Sequence, residues 1–284
     1  MRTFCKNLFV AILFLNQIAM ADDGYQLETT LTHDRYEFDL GYESDDNKLG
    51  ATYYFSKVDP GNYPFKEAAF MSRSSTIGID YKEGFIESNL GSKAYPVSFG
   101  LDAYYASPNH PYVIGGSVSE IQLDSGSGFT GSESKSYSVS PGYFLRKNLL
   151  LGAFFSKLET EYIGGGTYDY DFTALRAKWL HFLPSGKTYN FVAGVGRSNF
   201  DSSFGSGHST VVFLSGDYYV TRSFSVGASV SVSDSSDSES NATSYGLSTS
   251  WFITPRLFTQ LSGRRYNQDR GDLDNISLSL GVRL

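Results

Sequence analysis

The sequence predicts an all-β fold: a transmembrane, antiparallel, up-and-down β-barrel of about fourteen strands, with twelve or sixteen left open. Three observations predict it. Apolar residues alternate with polar or small ones over many short stretches. Short turns rich in Pro, Asn, Arg and Lys take turns with longer connections rich in Gly, Ser and Asp. Beyond the N-terminal stretch, no apolar run approaches the ~18 residues of a helical span.

The alternation is cleanest in two places. Phe224, Val226, Ala228, Val230 and Val232 interleave with Ser225, Gly227, Ser229, Ser231 and Ser233. Ile276, Leu278, Leu280, Val282 and Leu284 interleave with Asn275, Ser277, Ser279, Gly281 and Arg283. Side chains along a strand point to opposite faces in turn, so each stretch has one greasy and one wet face. A secreted β-sandwich also alternates. The barrel is favoured by the number of hairpin-linked strands and by an apolar face that runs to the last residue. It is favoured too by aromatics near strand ends (Tyr105, Tyr143, Tyr189, Tyr219, Trp251, Tyr266), which suit interfacial girdles.

Taken in order, Tyr25–Leu31 is apolar at odd positions, whereas Tyr36, Phe38, Leu40 and Tyr42 are even. The change of phase predicts a bulge or turn at His33–Arg35 between a short leading segment, 22–35, and a barrel spanning 36–284. Asp45–Asn47 reads as a turn, 51–55 as a strand, and Asp59-Pro60-Gly61-Asn62 as its end. Further strands are expected near 77–81, 95–105, 112–123, 137–143, 149–158 and 168–182. Five more follow near 189–195, 210–219, 224–232, 245–251 and 257–266, ahead of the closing strand. Loops are expected at 124–134, around 164–166, and at 201–208, 234–241 and 267–274.

The N-terminus carries Arg2 and Lys6, the apolar run Leu8–Leu15, and Ala19-Met20-Ala21 before Asp22-Asp23. That is the pattern of a cleaved secretory signal, 1–21. Its removal takes the only cysteine, Cys5, so the mature chain would rely on its sheet and not on disulfides. It would also leave 21 basic residues against 30 acidic ones, a net charge of about −9, which is a poor match to nucleic acid. Aromatics make up 16% of the chain, with 21 Tyr, 22 Phe and 29 Gly, a β-rich composition.

Two stretches carry resemblances. The last ten residues are similar to the C-terminal strand of bacterial outer-membrane barrels that assembly machinery reads, except that Leu284 stands where an aromatic is usual. Around 50–75, the Thr52-Tyr53-Tyr54-Phe55 strand, the Pro-containing link, Glu67-Ala68-Ala69-Phe70 and Arg73 resemble the putative general porins of Gram-negative bacteria. The resemblance implies an exported outer-membrane porin, surrounded by outer-membrane lipids, with a homotrimer as one assembly left open.

Catalytic readings find little support. His33, His110, His181 and His208 are scattered, and Ser206-Gly207-His208-Ser209 is a string of neighbours, not a triad. Asp169, Asp171 and His181 share a strand face but read as rim charge. Acidic runs at Asp45-Asp46 and 269–274 lack a complete calcium loop. The chain is therefore read as non-enzymatic, with no cofactor and no metal site. The expected function is passive diffusion of small hydrophilic solutes or ions. A barrel enzyme of lipase or protease type and a non-conducting surface or adhesion barrel are the alternatives. The pore-lining candidates are Arg73, Asp102, Arg176, Asn190, Arg264 and Arg283. Carboxylates on the longer connections, among them Asp124, Glu133, Glu159, Glu161, Asp201, Asp234 and Asp274, are expected to ring the mouth and favour cations.

Overall fold

The computed structural model describes residues 24–284, apart from 40, 125–129, 204, 237–240 and 269–270. The signal segment expected at 1–21 and the loop acids Asp237, Glu239 and Asp269 lie outside the described residues. One antiparallel sheet accounts for the wall. Its strands are β1 (Tyr25–Phe38), β2 (Tyr42–Val58), β3 (Thr76–Ser88), β4 (Lys93–Ala94), β5 (Pro96–Tyr105), β6 (Tyr112–Leu123), β7 (Ser132–Arg146) and β8 (Leu149–Tyr162). The remainder are β9 (Thr167–Phe182), β10 (Thr188–Ser202), β11 (Gly205–Thr221), β12 (Phe224–Ser235), β13 (Ala242–Phe252), β14 (Leu257–Gln268) and β15 (Leu273–Arg283). The two-residue β4 and β5 both pair with β3, so the wall has fourteen strand positions. Pairing of β15 with β1, from Glu28↔Arg283 to Phe38↔Leu273, closes the barrel. Closure matters because an open edge in lipid would strand backbone N–H and C=O groups without partners.

The register fixes which face is which. Asn275, Ser277, Ser279, Gly281 and Arg283 stand across from Tyr36, Asp34, Thr32, Thr30 and Glu28, and the same parity carries round the whole sheet. The opposite face holds Ile79, Leu175 and Leu247, which are 61%, 64% and 72% exposed in the isolated chain. A contiguous apolar face of that kind is covered by lipid, not water. Fourteen strands spaced about 4.8 Å apart and tilted about 40° give a barrel roughly 28 Å across between opposite backbones.

Several expectations change at the first hairpin. No bulge lies at His33–Arg35: β1 pairs without interruption from Leu27 to Phe38 with β2. The described part of the 22–35 segment is therefore wall, not a lead-in. The phase changes because β1 leaves the bilayer, so Leu27 and Leu31 face outward toward lipid while Tyr36 and Phe38 face inward beyond it. The register shift between β1 and β2 lies between Tyr25 and Leu27, and Tyr25 turns into the buried interior against Tyr54. Asp45–Asn47 is not a turn either. The strands on either side end at Phe38 and start at Tyr42, with Gly41 at φ +82, and Asp46 sits inside β2 with its carboxylate 2.6 Å from Lys82 Nζ. Turn-like residues occur in mid-strand here because beyond the bilayer both faces of a strand can be polar.

The connections also differ from expectation. Strand β10 runs on to Ser202 and β11 already starts at Gly205, and β7 already starts at Ser132. The longest connection, 59–75, lies at the end of the barrel that holds the two termini. Of the girdle residues, Tyr105, Tyr143, Tyr189 and Trp251 face outward near that end. Tyr219 is 3% exposed and points inward, and Tyr266 has the inward parity of Arg264.

Candidate functional site

The connection 59–75 is not a surface loop. Pro60 and Pro64 cannot continue a ladder, and the chain instead makes a 3-10 turn (Phe65–Glu67) and one short helix, α1 (Ala68–Ser72). Arg73 closes α1 in the left-handed region at φ 49. Together they form a strap that crosses the lumen. It leaves from β2, and its side chains meet inward-facing residues of β7, β9, β11, β13 and β15, of which β9 and β11 stand across the fourteen-strand circle from β2.

Charge and ring contacts fix the strap. Glu67 is 2% exposed; its Oε1 accepts a hydrogen bond from Tyr219 Oη at 2.6 Å, and its Oε2 lies 2.7 Å from Lys178 Nζ. The second contact is an ion pair whose angle departs from a hydrogen bond. Lys66 Nζ donates to Asp217 Oδ1 at 2.9 Å, and Asn190 Nδ2 donates to Asp217 Oδ2 at 3.2 Å. Arg283 donates to Glu28 Oε2 at 2.6 Å and to the Phe65 carbonyl at 2.8 Å. Beneath them Met71 packs with Leu180 and Tyr219, and Phe70 with Phe144 at 5.3 Å between ring centres. Burial of Glu67 is tolerable only because both of its oxygens have partners.

The six pore-lining candidates therefore divide. Asp102, Arg176, Asn190, Arg264 and Arg283 all stand at inward positions of the wall, while Arg73 belongs to the strap, its guanidinium 4.0 Å from the centre of the Phe144 ring. Arg283 and Asn190 join the strap network. Arg264 reaches the Tyr266 hydroxyl at 3.1 Å and faces a cavity of ≈ 380 Å³ against the strap. Asp34, Lys66, Asp217, Ser229, Gln260 and Ser277 share its lining. Lys178, Glu67, Lys66 and Asp217 are not among these six, because they sit on segments without usable alternation. Around the rest of the wall the inward charges nearly balance, with Lys48 3.1 Å from Asp80 and Lys82 paired to Asp46.

The mouth acids are placed differently from expectation. Glu133, Glu159 and Glu161 lie within strands at outward positions, and so do Asp201, Asp234 and Asp274. Lys135, Lys157 and Arg265 pair with Glu133, Glu159 and Asp274 on that outer face. Asp169, Asp171 and His181 are outward too, and ten residues of strand hold Asp171 roughly 33 Å from His181. His208 and Ser209 point to opposite faces of β11. Among the described residues no group of three or more His, Cys, Asp or Glu side chains is arranged to hold a metal ion.

A family model described as "Putative general bacterial porin" matches residues 8–161, more than half of the chain. The chain belongs to this family. The porin-like stretch around 50–75 proves to be the end of β2 together with the strap. No curated protein matches the sequence. Among solved structures, the Acinetobacter baumannii outer membrane protein Omp33 is 20% identical, with TM-score 0.56 over 93% of this chain and all of that one. The CymD monoaromatic hydrocarbon channel is 11% identical, with TM-score 0.58 over 93% and 89% of the two chains. The Ralstonia pickettii toluene transporter TbuX is 9% identical, with TM-score 0.56 over 92% and 90%. At these identities the likeness is one of fold. Family and fold together make this porin a channel-type barrel of the bacterial outer membrane.

Proposed function

We propose that this porin is a diffusion channel for small hydrophilic solutes whose terminus-side mouth is closed by the 59–75 strap and opens when the strap is released. The observation that carries the reading is the combination of a polar lumen with a closure built on ion pairs. Inward positions of the clean strands are Ser, Gly, Asn and Gln, side chains that leave room for water, and a cavity of ≈ 380 Å³ lies against the strap. Two ion pairs and a buried carboxylate make a contact whose strength water can change. The porin family and the channel-type fold support a channel.

The strap also favours a second reading, a permanently closed barrel that serves as a surface or scaffold protein. One experiment separates the two. Purified protein is reconstituted in planar bilayers beside a Lys178→Met variant. Channel function predicts small or rare openings for the natural protein and larger, sustained currents for the variant. No current from either, with both correctly folded, would leave the closed scaffold as the better account.

A further inference from the structure

The strap fills only the terminus-side end of the lumen. Farther along the barrel the inward wall is uneven. On β8 to β11 the inward positions include Phe154, Tyr168, Tyr170, Phe172, Phe200 and Phe213, several of them in contact. The rings of Phe154 and Phe172 are 6.1 Å apart, and those of Tyr168 and Phe200 are stacked at 6.5 Å. Phe213 lies over Gly194 and Phe172 over Gly196, so closely that a Cβ on either glycine would collide with the ring. Each ring therefore leans across the backbone of the neighbouring strand. The rings stay half-buried, with their other side toward the lumen.

Aromatic side chains in a water-filled channel leave apolar surface wet unless something covers it. Phe172 stands six residues from Lys178 on β9, roughly 20 Å along the strand, so the strap does not cover it. What flanks the rings identifies the chemistry. On one side β6 and β7 present serine hydroxyls inward, with Ser117 bonded to Ser138 at 2.7 Å. On the other, β12 and β13 do the same, with Ser231 bonded to Ser244 at 2.8 Å. A hydroxyl has one donor and two acceptor sites, so each pair keeps capacity for a third partner. Among the described residues, no charged side chain takes an inward position on β6, β8, β10, β12 or β13. On β9 Arg176 does, level with Phe213 across Gly194, and its guanidinium adds hydrogen-bond donors beside the rings.

We infer that the β8–β11 wall is a stacking track for neutral, hydroxylated ring solutes, that is, for sugars. The C–H face of a pyranose ring lies on the aromatic rings, and its hydroxyls exchange hydrogen bonds with the serine rows on either side. An aromatic hydrocarbon would use the rings but leave the hydroxyl rows unmatched. An acyclic polyol would use the hydroxyls but offer no face. The inference rests on the channel reading and deepens it.

The test is calorimetric titration of the full-length protein, held in a detergent without a sugar headgroup, with maltose, sorbitol and benzyl alcohol. Maltose is expected to give saturable heat, and sorbitol and benzyl alcohol several-fold weaker binding or none. Phe172→Leu and Phe213→Leu keep apolar bulk but lose the ring, and both should weaken maltose several-fold. Phe155→Leu, on the outward face of β8, should leave it unchanged. Equal binding of sorbitol, tighter binding of benzyl alcohol, or maltose binding indifferent to Phe172 and Phe213 would overturn the assignment. If maltose fails to bind while Lys178→Met conducts in bilayers, the sugar track is wrong and the channel stands. If nothing conducts, the channel reading itself has failed.

Discussion

Lys178→Met tests the closure most directly. The substitution keeps the length and apolar stem of the side chain and removes its charge. Glu67, 2% exposed, is then left with the Tyr219 hydroxyl alone. Removing one partner of a buried ion pair costs about 3–5 kcal/mol. Water in the lumen relieves part of this, because Lys178 itself is 27% exposed, so about 2 kcal/mol is a working figure. That penalty falls on the docked strap and spares the undocked one. At about 1.4 kcal/mol per factor of ten, it multiplies the ratio of open to closed barrels by roughly 30. The barrel should survive, because Lys178 takes no side-chain part in the strand ladder. Single-channel recording should show open probability rising by more than an order of magnitude, with heat-modifiable gel migration unchanged. The double variant Glu67→Gln with Lys178→Met removes the stranded charge and should lie closer to the natural protein than Lys178→Met alone. A Lys178→Met channel that opens no more often than the natural one would refute the claim that this pair holds the strap.

The other predictions concern the wall and the current. Val230 faces outward and Ser229 inward on β12, so Val230→Arg should cost roughly 2–4 kcal/mol if it lies at the bilayer midplane, and Ser229→Arg far less; urea-dependent folding into liposomes measures both. Deleting Leu278–Leu284 removes most of a strand that pairs with both β1 and β14; the truncated chain should not assemble, and protease-resistant insertion would contradict the closing role of β15. Reversal potentials in graded KCl should show weak selectivity, because inward Glu28, Asp34, Asp46, Asp80, Asp102 and Asp217 are matched by Lys48, Lys82, Arg176, Lys178, Arg264 and Arg283. Arg264→Glu should move the channel toward cations, an effect that fades toward 1 M salt as the Debye length falls to about 3 Å; unchanged potentials would place Arg264 off the ion path.

The chain itself determined the kind of wall it builds. A strand's side chains alternate by geometry, so Phe224–Ser233 and Asn275–Leu284 announce a two-faced sheet wherever they occur, and the short turns at 147–148 and 222–223 mark the hairpins. Fourteen strands and the inward parity of Asp102, Asn190, Arg264 and Arg283 follow from that local rule. It fails where both faces are polar, which is why Asp45–Asn47 resembles a turn and is strand, and why β10 runs to Ser202 and β11 starts at Gly205. Tertiary structure alone decided the rest. Glu67 meets Lys178 and Tyr219 across more than one hundred residues, and only closure of the sheet brings those strands opposite β2. The same closure turned Tyr219 from a girdle residue into an anchor for the strap. It also gathered Phe172 and Phe213 on one side of the lumen. Alternation says that a residue faces inward; what it faces is set by the far side of the barrel, and no local pattern encodes that.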